Sequence, residues 1–386
     1  MQNEPFLVTY CTNVHPGESV GAVIKTLDEI VPAVKAHVCA DGTFGVGLRL
    51  GHEATSTLHR DQDARNRLCD VLVKQDFDVF TVNGFPYGTF GEGVVKTSVY
   101  EPDWRDPRRV EYTIQLAEVL AALPGPSVRT ISTVAGGFRP KTCTEEDRIL
   151  MGKNLLRVAS ALRDLAEASG TQIRLCLEPE PWTTMETTDD AVGFFQQHLS
   201  PGTELVDAHL GLCYDCCHQA VHFEDPRDAI NQIYDSGIVI GKVQVSSAIH
   251  LPNPADDQAR QALLNFAEPR FLHQVVAQRR DGSILRMMDL DELVDPHPEW
   301  LAAEAWRCHF HVPIDWEGDA LLKTTRRDWE TVLSVIQTRG QAPHLEIETY
   351  TWHVLPPNLQ PSGQPALCRA IADEFDCLSA CLKRVV

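Results

Sequence analysis

Ile173-Arg-Leu-Cys-Leu-Glu178 is a short apolar run that ends in a carboxylate, and three later stretches repeat its design. They are Leu210-Gly-Leu-Cys-Tyr-Asp215, Ile240-Gly-Lys-Val-Gln244 and His344-Leu-Glu-Ile-Glu348. Each has the length and composition of a buried strand, and each ends in an oxygen-bearing side chain. A carboxylate is costly to bury alone, so acids converging at strand ends point to a metal site or an acid–base site. Four such ends in series predict a parallel barrel with its chemistry at one rim.

Outward from these runs, the first half alternates strand-like and helix-like segments. Phe6 to Thr12, Phe44 to Leu50, Phe77 to Asn83 and Val128 to Val134 are strand candidates. A helix is predicted from about Ser19, with Val20, Val23, Ile24, Leu27, Ile30, Val31 and Val34 on one face. Asp106-Pro107 and Asp225-Pro226 each open a helix with a capping residue and a first-turn proline. Thr144 to Ala168 is a long helix ended by Gly170. Strand followed by helix, eight times over, is the pattern of a (β/α)8 TIM barrel of the α/β class, a single domain over residues 1–386.

The regularity breaks between about Ile249 and Trp306. Phe271 to Met288 resembles a hairpin around Arg280-Asp-Gly-Ser283, so 249–305 is expected to be an insertion with a β-hairpin before the last strand. Cys308-His-Phe-His-Val312 is a ninth extended candidate, and the pattern leaves open which late strand closes the barrel.

The totals suit one large globular chain. It has 386 residues, 43% hydrophobic and 23% charged. A formal charge of −20 argues against nucleic acid or an anionic membrane as the main partner. Residues 1–12 show no secretory signal and no apolar run is long enough to span a bilayer, so the expected location is cytoplasmic. Twelve cysteines are many, but Cys176 and Cys213 sit within apolar runs, and Cys213-x-x-Cys216 has no second pair at zinc-ribbon spacing. Reduced structural thiols are the simpler account.

Glu178 is the strongest single candidate for chemistry, placed where a strand turns into a loop; Glu180 lies behind it. Asp215 and His218 form a D-x-x-H unit whose members can share one metal, or the histidine can orient a substrate. The amide oxygen of Gln244 suits a hard cation beside carboxylates. Glu346 and Glu348 share a strand face; Glu348, nearer the rim, is the ligand candidate, and Glu346 is left for a helix dipole or an arginine. His309 and His311 also share a face and are candidates for metal or substrate. His15 and Asn83 follow strands one and three and could bond a polyol, while Phe85, Tyr87, Trp182, Tyr350 and Trp352 flank the same rim. The bland alternative is a barrel whose acids cap helices and pair with arginines. No GxxxxGK[ST] or HExxH is present, and no nucleotide cofactor is expected.

Glu178, Asp215-x-x-His218, Lys242-Val-Gln244 and Ile-Glu348-Thr resemble the metal-binding strand ends of the xylose-isomerase-like TIM-barrel superfamily. Its members include sugar epimerases, hydroxypyruvate isomerase, inosose dehydratase and DNA repair enzymes of the endonuclease IV type. Tyr10-Cys-Thr-Asn-Val-His-Pro-Gly17, Asn83-Gly-Phe-Pro-Tyr-Gly88, Leu177-Glu-Pro-Glu-Pro181 and Glu346-Ile-Glu-Thr-Tyr-Thr-Trp352 further resemble the EboE family of metabolite traffic proteins. The resemblance implies one divalent ion (Mn, Mg or Zn) on Glu178, Asp215, Gln244 and Glu348. Glu178 and Glu348 would be catalytic, moving a proton through an enediolate of a sugar-like or polyol metabolite. His15, Asn83, His218, His309, His311 and Trp352 are the substrate-binding candidates. Two alternatives stand beside this: a non-catalytic metal-containing carrier for a prenylated or aromatic metabolite, and a multi-zinc phosphoesterase of the endonuclease IV type. The partners to test are a small-molecule metabolite, further copies of the chain, and other products of the same metabolite gene cluster.

Overall fold

The computed structural model of the chain describes residues 6–15, 17–87, 95–142 and 144–384; Pro16, Gly88 and Cys143 lie outside the described residues. Eight strands run parallel: β1 (Val8–Tyr10), β2 (Phe44–Arg49), β3 (Phe77–Asn83), β4 (Val128–Val134), β5 (Gln172–Glu178), β6 (Leu210–Asp215), β7 (Ile240–Val245) and the late strand His344–Ile347. That last strand lies between β7 and β1, so it is the one that completes the barrel. The order then runs from β7 down to β2, and a parallel bridge from Cys11 to Gly47 links the two edges of a nearly closed barrel. The C-terminal ends line up in register, Asp215 and Glu346 both standing opposite Gln244.

Local signals explain the helices. Asp106 and Asp225 accept backbone N–H bonds of the turns they open, each with a proline in the first turn. Thr144 and Asp147 form a reciprocal capping box for Glu145–Ser169, and Gly170 ends that helix at φ 73°, a left-handed conformation cheap only for glycine. The helix expected as one piece from Ser19 is instead two, Val20–Glu29 and Val31–Val38. Pro32 is the reason: it has no N–H for the helical ladder and crowds the carbonyl four residues back, so it is tolerated only in a first turn. The described cysteines are all free thiols. Among the described residues, no helix is long and apolar enough to cross a membrane.

Between β7 and the last barrel strand lies a second sheet, antiparallel and five-stranded. Its strands are β8 (Ser247–Leu251), β9 (Val275–Gln278), β10 (Ile284–Met287), β11 (Ala305–Val312) and β12 (Lys323–Thr324), in the order β10-β9-β11-β8-β12. The late barrel strand is β13. Ile249, Leu251, Val275, Trp306 and Phe310 of this sheet belong to the same continuous apolar cluster as the barrel residues. The β11–β8 pairing loses register between Cys308 and Val312, at the stretch carrying His309 and His311. Such a bulge re-aims side chains.

Candidate active site

The barrel interior beneath the rim is polar and buried. Lys242 and Glu346, both fully buried, pair at 2.6 Å. Room for Glu346 comes from Gly47, where a Cβ would fall 1.7 Å from its Oε1. Glu346 thus faces a lysine, where the sequence left it for a helix dipole or an arginine. Asn83 ties the layer together. Its Oδ1 accepts from Lys242 Nζ at 3.0 Å, Ser132 Oγ at 2.7 Å and Gln244 Nε2 at 2.9 Å, and its Nδ2 donates to Glu346 Oε2 at 2.8 Å. Because a lysine can only donate, the Asn83 amide orientation is settled. Gln244 must then turn its nitrogen to Asn83, and its Oε1 is left buried with no partner.

One layer higher sit three carboxylates. Glu178, Asp215 and Glu348 are all buried, and one oxygen of each lies within 4.8 Å of the others. Asp215 caps the short helix Cys216–Val221: its Oδ1 accepts from the His218 N–H at 2.9 Å and from Ser246 Oγ at 2.8 Å. The D-x-x-H spacing is therefore that of a capping residue and the third helical N–H. Among the described residues, Asp215 Oδ2 and Glu178 Oε2 are buried without a hydrogen-bond partner. Burial, and then the Asp215 charge, push the Glu178 carboxyl well above the usual range; burial and Glu178 do the same to Glu348. Burial works against Asp215 too, but His218, His311, the His218 amide and the Ser246 hydroxyl hold it below its ordinary value.

Beside the acids, three imidazoles gather. His309 and His311 reach over from β11 to His218, whose ring centroid lies 4.6 Å from that of His309 and 5.3 Å from that of His311. Burial lowers the proton affinity of all three, with His218 brought down to about 4. Glu180 stands close by, bonded by the Tyr100 hydroxyl at 3.0 Å and raised by burial to about 8.

A pocket opens onto this cluster. Asn83, Glu178, His218, His309 and Glu348 all line it. Asp215, Gln244 and His311, fully buried, lie beneath its surface. His15 and Trp352 are elsewhere: they border a separate hollow with Ile30 and His353, and His15 Nε2 is 3.0 Å from the Tyr10 hydroxyl. Phe85 and Tyr350 line the main pocket, whereas Trp182 stacks under Arg286 with the guanidinium carbon 4.2 Å from its ring. Sequence reading passed over Asn13, Arg49 and Tyr100, which also line the pocket. Arg49 ends β2 and pairs with Glu18 at 2.6 Å, so the strand-end rule that picked out Glu178 would have found it. Tyr100 lies in a connection with no periodic pattern and gives no such signal.

No curated protein sequence matches the chain. Solved structures do. A xylose isomerase domain protein from Planctomyces limnophilus is 13% identical, with a TM-score of 0.53 over 99% of this chain and 97% of the other. A D-tagatose 3-epimerase-like protein is 12% identical, with a TM-score of 0.51 over 98% of each chain. A xylose isomerase-like TIM barrel protein from Mycobacterium smegmatis, solved in complex with magnesium, is 10% identical, with a TM-score of 0.52 over 98% of each. At such identities these likenesses concern the fold. The family model described as xylose isomerase-like TIM barrel matches residues 62–274, more than half of the 386, and the chain belongs to that family.

Proposed function

We propose that this protein is a divalent-metal-dependent isomerase or epimerase acting on a sugar-like or polyol metabolite, with Glu178, Asp215, Gln244 and Glu348 as the set that holds the ion. The observation that carries this is the convergence of three buried carboxylates, with Glu178 Oε2, Asp215 Oδ2 and Gln244 Oε1 all lacking a hydrogen-bond partner among the described residues. Buried oxygens left unsatisfied in such number cost several kcal/mol, on the order of 1–3 each, and the chemistry of the set suits a hard cation. When bound, the ion would stabilise negative charge developing on a substrate oxygen. The magnesium present in the Mycobacterium smegmatis relative supports the same choice.

The chain's own groups do the rest. Glu178 and Glu348 open onto the pocket and stand close together, so one can take the proton beside a carbonyl while the other returns it. Their raised proton affinity suits a carboxylate that must accept a carbon-bound proton near neutral pH. Arg49, which lines the pocket, can donate hydrogen bonds to hydroxyl groups, while Asn83 holds the polar layer that faces it. The resemblance to EboE proteins supports a role in processing or moving precursors of secondary metabolites. Elemental analysis and deuterium exchange in heavy water test the proposal together. Stoichiometric metal, and solvent deuterium entering the carbon next to the carbonyl of an added ketose, are expected for the native protein, and both should fall in Glu178→Gln. Absence of both in the native protein would refute it.

The carrier reading has one observation in its favour, the apolar side of the pocket formed by Phe85, Val95, Val99, Phe271, Leu272 and Tyr350. Tight retention of an aromatic or prenylated metabolite with no deuterium exchange would select it.

A further inference from the structure

A second hollow lies where the short turns after β1 and β13, Thr12–Val14 and Tyr350–His353, meet the C-terminal helix Gln364–Arg384. His353 Nε2, 2.7 Å from the Val14 carbonyl, clips the two turns together. Each turn also sends a residue to the main pocket, Asn13 from one and Tyr350 from the other. His15 and Trp352, which the sequence singles out and the main pocket leaves unused, both border the hollow.

No formal charge lines it. Val14, Ile30 and Leu367 supply apolar surface, and Gln360 and Gln364 stand at its exposed edge. Among the described residues that border it there is no lysine, arginine, aspartate or glutamate. Burial, and then the neighbouring His353, bring His15 down to about 3. Hydrogen-bonding capacity is nevertheless present in both senses. The indole Nε1 of Trp352 is buried with no hydrogen-bond partner among the described residues, and an indole nitrogen can only donate. The Tyr10 hydroxyl lies 3.0 Å from His15 Nε2, and when it donates there the imidazole proton sits on Nδ1. His353 is the converse: its Nε2 donates to the Val14 carbonyl, so its Nδ1 keeps a lone pair.

A buried donor without an acceptor is costly, and an oxygen brought in by a ligand would satisfy it. Three ring side chains around one space favour a flat ring between apolar walls. A charged ligand would leave water and meet no opposite charge there. We propose that this hollow is a second binding site, taking a small uncharged molecule that carries a flat ring and a carbonyl or amide oxygen. None of Glu178, Asp215, Gln244 and Glu348 borders it, so the site stands whether or not those residues hold an ion.

Benzamide, benzoate and benzylamine test it on the full-length chain, since they share one ring and differ chiefly in charge at neutral pH. The reporter is the indole N–H resonance of Trp352 in nitrogen-15-labelled protein, identified by its loss in Trp352→Phe. Benzamide is expected to move that resonance saturably, and benzoate and benzylamine to bind about tenfold more weakly or worse. Gln364→Phe narrows the hollow at its exposed edge and should weaken benzamide about tenfold or more, with the other indole resonances in place. Benzamide that leaves the Trp352 resonance unmoved, or that binds Gln364→Phe as well as the native chain, refutes the site. Benzoate or benzylamine binding as tightly as benzamide refutes the uncharged class.

Discussion

Replacing Lys242 with methionine tests the electrostatic foundation of the site. Methionine keeps the volume of the lysine stem and removes only the cation and its hydrogens. The loss is large because both members of the Lys242–Glu346 pair are fully buried and meet at 2.6 Å. Removing one partner of a buried pair leaves an uncompensated charge and costs about 3–5 kcal/mol. The Asn83 Nδ2 bond to Glu346 survives and sets the cost toward the lower end, but the lysine's contacts with Asn83 Oδ1 and Ser132 Oγ go as well. Melting entropy of about 2.1 cal/mol/K per residue gives roughly 0.8 kcal/mol/K for 386 residues, hence a fall of about 4–6 °C in Tm. Differential scanning fluorimetry at pH 7 reads this directly. The double variant Lys242→Met/Glu346→Gln should regain most of it, since a neutral amide can still accept from Asn83. A Lys242→Met protein melting within a degree of wild type, or a double variant no better than the single, would show that the pair does not carry the charge balance assigned to it.

Three further outcomes are expected. Glu180 and Glu374 are buried acids raised to about 8, so the folded metal-free chain binds protons that the unfolded chain has already lost. That stability is present at about pH 5 and is lost as pH rises toward 8, at up to about 1.4 kcal/mol per pH unit for each group; Glu374→Gln, which keeps the bonds from Thr349 and Ile314, should flatten the slope in a pH series of melts. Gly47→Ala drives a Cβ into Glu346 Oε1 and to 2.9 Å from the Tyr10 carbonyl, and should cost about 1–3 kcal/mol by chemical denaturation. Thr144→Ala removes one half of a capping box and should cost about 0.5–2 kcal/mol with no change in metal content.

The eight barrel strands were legible because each is a short apolar run bounded by turn or capping residues, and the parallel order follows from the helices between them. The break at Pro32 was missed because apolar spacing continued through it, and spacing does not register a missing N–H. Lys242 was visible two residues before Gln244, on the same strand face. Its meaning was not, because its partner Glu346 comes from β13, about a hundred residues later, and only the register of β7 against β13 brings them together. His15 and Trp352 show the opposite limit. Both follow strand ends, yet the connecting chain carries them to a different hollow, since a strand end fixes a rim and not the direction its loop takes.

Charge counting then explains why the acids come in layers. On β13 the period of two puts Glu346 and Glu348 on one face, the first against Lys242 and the second at the pocket. One lysine can neutralise one carboxylate, and Glu346 claims it at 2.6 Å. Among the described residues, no lysine or arginine pairs with Glu178, Asp215 or Glu348, and the imidazoles beside them have their proton affinity lowered by burial. Either two of the three hold protons or something positive joins them, because separated ions of one sign in a dry interior repel by several kcal/mol. Burial, and then the charge of the neighbouring acids, raise the proton affinity of Glu178 and Glu348 in the metal-free chain, so protons can take that place. A divalent ion would displace those protons on binding, so metal uptake by this site should acidify an unbuffered solution. Methyl groups would have filled the same volume at less cost; a fold that keeps three acids there instead has given up stability for a place where charge can be held or moved.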